Sequence, residues 1–143
     1  MRIVKTKSPG MVLLLNVLTC GIYSWFWMYS TTEDLKFLSN KPNVPSGITA
    51  VILTLVTCGF YEIYWYYRIG CVIEETYNEN NLVSPVSGSR YLILVMVGFI
   101  LTCCCGFGAV LIALLPLIVQ QDINNLIALY DNNDPYQQDF SQY

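Results

Sequence analysis

An all-α integral membrane fold with three transmembrane helices is predicted by the composition, by three long apolar runs and by one motif that occurs twice. Hydrophobic residues make up 55% of the 143 residues, charged residues make up 12%, and histidine is absent. A soluble domain of this size would expose much of that apolar surface to water. The apolar runs cover residues 11–29, 49–67 and 91–119, and a helix needs roughly 20 residues to cross the bilayer core.

The N-terminal segment, residues 1–9, is a basic arm that leads into the first helix. Ser8 followed by Pro9 is typical of a helix start. A basic start, a short apolar run and then Cys20 also resemble a lipoprotein signal. The apolar run continues past Cys20, however, and the same cysteine motif recurs in mid-chain. We therefore expect the N-terminus to be retained.

The recurring motif is a unit of 17 residues, residues 14–30 and residues 52–68, with seven identical positions at an offset of 38. Each copy contains Thr-Cys-Gly, a run of small residues at which helices in lipid approach closely or kink. A weaker echo, "ILTCCCGFG", lies at residues 100–108. The expected packing or kink positions are Thr19, Cys20, Gly21, Thr57, Cys58 and Gly59.

Two arrangements of the repeated unit are open. If each copy crosses the membrane once, the two copies run in opposite directions and form an inverted pair, which is a recurrent plan in transporters. If each Thr-Cys-Gly is instead the tip of a half-membrane hairpin, the copies run parallel. Backbone turns at membrane depth must be buried in protein or line water, so the hairpin arrangement would require tight oligomerisation.

The third apolar run poses a second choice. The segment "CCCGFG" is either a kink in one tilted helix or the tip between two short helices. Arms of about 13 residues would each rise roughly 20 Å, too little to cross the core, which favours one long broken helix; four membrane segments are the alternative. Residues 120–130 show one apolar face and predict an interfacial amphipathic helix, and residues 131–143 form a polar acidic tail. Residues 10–130 are then a single membrane domain.

Aromatic residues cluster in both copies of the unit. Their apolar rings and polar edges are typical of the interface between lipid and water, so an interfacial belt is the expected role, and a stacking surface for a partner is the alternative. The belt residues are Tyr23, Trp25, Trp27, Tyr29, Tyr61, Tyr64, Trp65 and Tyr67.

Glu62 is the most unusual polar residue, because it lies inside an apolar run. An ionisable group in a membrane span indicates a polar pathway, although Glu62 is also close enough to Arg68 to reach the interface. Asn16 and Thr54 occupy equivalent positions of the two copies and are the other pathway candidates. We predict no metal site, no cofactor and no catalytic set, since the cysteines have no histidine partner and no paired spacing.

The doubled motif "TCG-[IF]-Y-x-x-[FY]-W-x-Y" resembles a bacterial family of small multi-pass membrane proteins, domain of unknown function 4234. The stretch "QQDINNLI", residues 120–127, is also similar to the segment that often closes such proteins. The resemblance covers roughly residues 8–130 and implies a membrane location but no activity. The cysteine triplet, residues 103–105, departs from the pattern expected of the family.

Taken together, these features predict a non-enzymatic, self-associating structural or scaffold protein of the cell membrane. Its partners are the lipid bilayer and further copies of itself, without nucleic acid or a small-molecule substrate. The distribution of lysine and arginine places the N-terminus in the cytoplasm. A small ion channel or transporter built on inverted repeats is the alternative, and a membrane-active effector or immunity protein is a further one.

Overall fold

The computed structural model describes residues 6–19, 21–105 and 108–133, which are helical outside the turns. The all-α class predicted from the sequence is therefore confirmed. Six helices follow one another along this part of the chain: α1 (Pro9–Leu18), α2 (Ile22–Ser39), α3 (Gly47–Val56), α4 (Phe60–Glu79), α5 (Gly88–Cys105) and α6 (Gly108–Asn133).

Each pair of consecutive helices, α1–α2, α3–α4 and α5–α6, forms a helical hairpin. In the first hairpin, Lys7 precedes α1 and binds Asp34 late in α2. Asn16, near the end of α1, binds Ser24 near the start of α2. α1 and α2 therefore run antiparallel.

The second helices of the three hairpins lie together at the centre of the molecule. α2, α4 and α6 contact one another, whereas α1 packs against α6 and α2, α3 against α2 and α4, and α5 against α4 and α6. The start of α3 lies beside the middle of α2, where the Gly47 N–H donates to Glu33 at 2.8 Å. The rings of Phe60, at the start of α4, and Phe99, late in α5, are 6.5 Å apart. α1, α3 and α5 thus run parallel to one another, and the three hairpin turns lie at one end.

We call the end that holds the hairpin turns the apolar end. It consists of α1, α3, the first halves of α2 and α4, and the parts of α5 and α6 nearest their connection. Large hydrophobic side chains there are exposed on every hairpin. They include Leu14, Val17, Leu18, Ile22, Phe26, Ile52, Leu55, Val56, Phe60, Met96, Ile100, Leu101 and Val110.

The opposite end, which we call the polar end, holds the later halves of α2, α4 and α6. Its interior is apolar, with Leu35, Ile73 and Ile123 almost completely buried. Its surface carries ion pairs, among them Lys41 with Glu75 at 2.8 Å. Several residues after Ser30, in the second half of α2, contribute to this interior.

The prediction of three transmembrane helices is wrong. Among the described residues, the segment Val110–Tyr130 of α6 is the one that is long and apolar enough to cross a bilayer. The first two apolar runs are divided by helix breaks at residues 19–21 and 57–59, so α1 and α3 have only 10 residues each. The apolar runs are therefore longer than the helices they contain, because hydropathy does not reveal where the backbone turns.

The third apolar run is also not one broken helix. α5 and α6 fold back on each other so closely that a Cβ added to Gly108 would overlap the backbone of Gly98. The predicted interfacial helix, residues 120–130, is the second half of α6, and Leu126 and Ile127 are buried in the polar end. The basic arm before residue 6 and the acidic tail after residue 133 lie outside the described residues.

Candidate functional site

The second Thr-Cys-Gly forms a helix break that one hydroxyl group organises. Thr57 Oγ1 donates to the carbonyl of Leu53 at 2.7 Å and accepts from the N–H of Tyr61 at 2.9 Å. The same side chain therefore ends α3 and begins α4. Thr19 makes the equivalent two bonds, at 2.8 and 2.9 Å, between α1 and α2.

Glycine ends each break because the backbone is left-handed there. Gly21 and Gly59 have φ of 90° and 94°, and Cys58 has φ of 50°. Left-handed backbone favours glycine and is typical of helix C-termini. A Cβ added to either glycine would meet nothing within 4 Å, so close helix approach does not explain them. Cys20 lies outside the described residues.

The backbone N–H groups of the second break have acceptors within their own hairpin. From residue 57 to residue 62, each N–H donates to a carbonyl oxygen or, for Tyr61, to Thr57 Oγ1. An N–H without an acceptor costs several kcal/mol in hydrocarbon. Oligomerisation is therefore not needed to satisfy these donors.

Close helix approach occurs instead between α4 and α5. A Cβ added to Gly70 would overlap the Cα of Gly88, and one added to Gly88 would overlap Cys71. We did not predict this contact. The sequence signal for Gly88 is the Ser-Gly pair at residues 87–88, which also occurs at residues 46–47, where α3 begins.

The aromatic residues predicted to form a belt fall into two groups. Four side chains lie at the surface of the apolar end, with exposed fractions of 37–52%: Trp25, Tyr29, Tyr64 and Tyr67. Tyr23 and Tyr61 are partly buried. Trp27 and Trp65 are not belt residues, because they are 2% and 1% exposed. Their rings pack edge to face at 5.7 Å in the middle of the molecule.

A cleft of about 420 Å³ lies where the three hairpins meet at the apolar end. Asn16 and Ser24 line it from the first hairpin, Glu62 from the second, and Thr102 and Pro116 from the third. Glu62 also lines a neighbouring cavity of about 180 Å³ between the second and third hairpins. The cleft is therefore the place where polar groups of separate hairpins converge.

One of these polar groups has an unsatisfied donor. Asn16 Oδ1 accepts from the Ser24 hydroxyl at 2.6 Å. Its Nδ2 has no partner, although the residue is only 8% exposed. The Tyr66 hydroxyl lies close enough to Glu62 to interact with its carboxyl group, which can accept further bonds. A buried amide donor without an acceptor is costly, so a group that accepts from Asn16 would stabilise this site.

Pro116 leaves a backbone carbonyl of α6 without its usual helical donor, a feature that we did not predict from the sequence. It lies buried inside α6, and it has no N–H to offer the carbonyl of Ile112. Ile112 and Pro116 both line the cleft. A proline inside a long apolar run was the available sequence signal.

Of the three predicted pathway residues, the structure brings two together. Asn16 and Glu62 line the cleft, whereas Thr54 lies between α2 and α3, where its hydroxyl donates to the carbonyl of Ala50 at 2.9 Å. The part of the chain that the structure describes contains no cluster of three residues able to hold a metal ion. The arrangement can bind a small polar group.

Comparison with protein families gives one match. The family model described as Domain of unknown function (DUF4234) matches the chain twice, over residues 7–75 and over residues 46–127. No similar curated protein and no similar solved structure was found.

Proposed function

Because the chain belongs to the family described as Domain of unknown function (DUF4234), whose description states no activity, we propose its function from the geometry alone. We propose that it is a non-enzymatic structural protein of the cell membrane. Its three hairpins insert into one leaflet from the cytoplasmic side, and the polar end remains in water.

The observation that carries this proposal is the concentration of exposed large apolar side chains at one end, where they far outnumber those exposed at the polar end, namely Phe37, Leu82, Val83 and Tyr130. Helices of 10 residues, such as α1 and α3, rise about 15 Å, which is half the thickness of a hydrocarbon core of about 30 Å. The helix breaks would then lie near the bilayer midplane. The internally satisfied N–H groups of the second break support such a position.

The charges support the same orientation. Among the described residues, Glu62 is the one acidic residue at the apolar end. The basic residues Lys7, Lys36, Lys41, Arg68 and Arg90 lie towards the polar end. An excess of lysine and arginine favours the cytoplasmic side. One-sided insertion replaces the multi-pass arrangement that we expected from the sequence.

Insertion into one leaflet supports a structural role. Each hairpin displaces lipid from one leaflet only, so the protein acts as a wedge that favours a curved membrane or a cluster of copies. The second match of the family model and the repeated hydrogen bonds at Thr19 and Thr57 support an internal duplication of the hairpin unit.

Cysteine labelling tests the topology, in a background without native cysteines. Asn43→Cys and Val83→Cys lie in the two exposed turns between hairpins, and Val83 is 94% exposed. We expect both positions to react with a membrane-impermeant maleimide from the cytoplasmic side alone. Leu55→Cys and Leu101→Cys at the apolar end serve as matched controls and should react only with a lipophilic reagent.

Labelling of the two turns from opposite sides would overturn one-sided insertion. Function is tested by reconstitution into large vesicles at rising protein-to-lipid ratios, with vesicle diameter measured by electron microscopy. We expect smaller or tubulated vesicles and a cross-linked series of oligomers. Unchanged vesicles that contain only monomers would contradict the structural role.

The convergence of Asn16 and Glu62 in the cleft favours a small channel as a second candidate. Ion flux in the same vesicles separates the two functions. Flux that is abolished by Glu62→Gln would replace the structural proposal with the channel, whereas tight vesicles support the structural role.

A further inference from the structure

We propose that the cleft between the hairpins binds a long-chain lipid whose polar end is a single hydroxyl group. The hydroxyl lies between Asn16 and Glu62, and the alkyl chain leaves the cleft sideways. The proposal goes beyond the structural role and rests on it only in that the lipid arrives from the surrounding leaflet.

Hydrogen-bond complementarity selects the hydroxyl group. Asn16 offers a buried Nδ2 donor without a partner, and Glu62 offers carboxylate oxygens. A hydroxyl both accepts and donates, so one group can accept from Asn16 and donate to Glu62. An ether oxygen can only accept and an ammonium group can only donate, so each would satisfy one side. An anionic phosphate would face the carboxylate of Glu62.

The walls of the cleft suit an alkyl chain. Val17 and Trp25 line it and are 64% and 42% exposed on the outer surface of the first hairpin. Ala113 lines the opposite side and is also exposed. The cleft is therefore open laterally between two apolar walls, through which a chain can reach the surrounding lipid. A volume of about 420 Å³ accommodates a hydroxyl group and the first part of such a chain.

Trp25 provides a direct measurement. It is the one exposed tryptophan of the three, since Trp27 and Trp65 are buried. Purified full-length protein in phosphatidylcholine nanodiscs is titrated with a bromine-tagged long-chain alcohol, and the quenching of tryptophan fluorescence is recorded. A bromoalkane of matched length serves as the apolar control, and Trp25→Phe identifies the quenched residue.

We expect saturable quenching by the alcohol with an affinity about tenfold higher than that of the bromoalkane, or about 1.4 kcal/mol. Asn16→Leu and Glu62→Leu should each reduce the affinity for the alcohol to that for the bromoalkane. Thr54→Val is the matched control, because Thr54 is the repeat equivalent of Asn16 outside the cleft, and it should leave the affinity unchanged. Ala113→Phe fills the cleft without altering a polar group and should abolish saturable quenching.

The Ala113→Phe variant keeps the test decisive if Asn16→Leu disturbs folding. Competition by an unlabelled fatty alcohol and by an unlabelled diacylglycerol distinguishes a lipid with one chain from a lipid with two, and displacement by either supports the proposal. Equal quenching by alcohol and bromoalkane, or alcohol binding that Ala113→Phe leaves unchanged, overturns it. Carbonate extraction of the same preparation reports membrane insertion separately, so failure of this inference is distinguishable from failure of the proposed function.

Discussion

The indole N–H of Trp27 donates to Gln120 Oε1 at 2.8 Å, and this bond joins the first hairpin to the last helix across 93 positions of sequence. The equivalent tryptophan of the second unit, Trp65, donates instead to Thr32 Oγ1 at 2.9 Å. The two indole rings contact each other, so this group fixes the mutual position of α2, α4 and α6. It lies between the apolar end and the polar end.

Replacing Trp27 should destabilise the fold more than the same change at Trp65. Trp27→Phe leaves the Gln120 oxygen buried without a donor, because Gln120 is 2% exposed, and such an orphan costs about 1–3 kcal/mol. Trp65→Phe leaves Thr32 still donating to the carbonyl of Met28 at 2.7 Å. Thermal unfolding followed by circular dichroism in mild detergent measures both. Adding Gln120→Leu to Trp27→Phe should recover part of the loss, and equal losses at the two tryptophans would contradict this explanation.

The hydroxyl at the second helix break makes a testable contribution to stability. Thr57→Val removes the acceptor for the Tyr61 N–H, as the loss of an N-cap does, and should cost about 1–2 kcal/mol. Thr57→Ser should retain most of the stability. Thr76→Val is the matched control, because the Thr76 hydroxyl only donates to a carbonyl inside α4, and it should be almost neutral. A loss at Thr76 as large as that at Thr57 would remove the special role of the break.

Two glycines should respond to alanine for different reasons. Gly59→Ala places a side chain in left-handed backbone with open space around it, at a cost of about 1 kcal/mol. Gly70→Ala should cost more, because the new Cβ overlaps Gly88 and forces α4 and α5 apart. Asparagine tolerates left-handed backbone, so Gly59→Asn should cost less stability than Gly59→Ala. At Gly70, where the cause is overlap, asparagine should cost at least as much stability as alanine. Unfolding midpoints of the four variants decide this.

The ion pairs of Lys41 at the polar end should make the free energy of unfolding depend on pH. Burial alone would lower the pKa of Lys41, but hydrogen bonds and negative charges from Glu75 and Glu79 outweigh burial, and the pKa is raised. The stabilisation is therefore complete below the unfolded pKa of about 10.4 and is lost as the pH rises through the folded pKa. Since the two carboxylates are 46% and 60% exposed, we expect about 0.5 kcal/mol.

The measurement compares wild type with Lys41→Met. The stability difference should be present near about pH 8 and should be lost as the pH rises above the unfolded pKa of about 10.4 and through the raised folded pKa of Lys41. Lys41→Arg is the control, because arginine keeps its charge at high pH and should retain its advantage over methionine. A difference that does not change with pH would indicate lost packing rather than lost charge.

Local features of the fold could be read from the sequence, whereas long-range packing could not. Ser8 precedes a helix where a helix start was expected, and Thr-Cys-Gly is a place where helices end. These features depend on neighbouring residues alone. The direction in which each hairpin folds back depends on contacts such as Glu33 with the start of α3, and hydropathy carries no information about them.

The aromatic residues show the same limit. Trp25 and Trp27 are two positions apart, so they point to nearly opposite sides of a helix, and only one of them can face the centre. Because both are tryptophans, the sequence predicted that both belong to one belt. In the structure Trp25 is exposed at the surface and Trp27 is buried in the core. Of the residues singled out for a polar pathway, Asn16 and Glu62 line the cleft, whereas Thr54 faces another interface.

The location of all three hairpin turns at one end has a consequence for how the protein reaches its membrane. If the hairpins insert into one leaflet as proposed, the turns at residues 40–46 and 80–87 stay on the side where the chain is synthesised. No hydrophilic segment between hairpins has to be carried across the bilayer. On that proposal, the folded protein would enter the membrane from one side, with its apolar end first, without translocation of a loop.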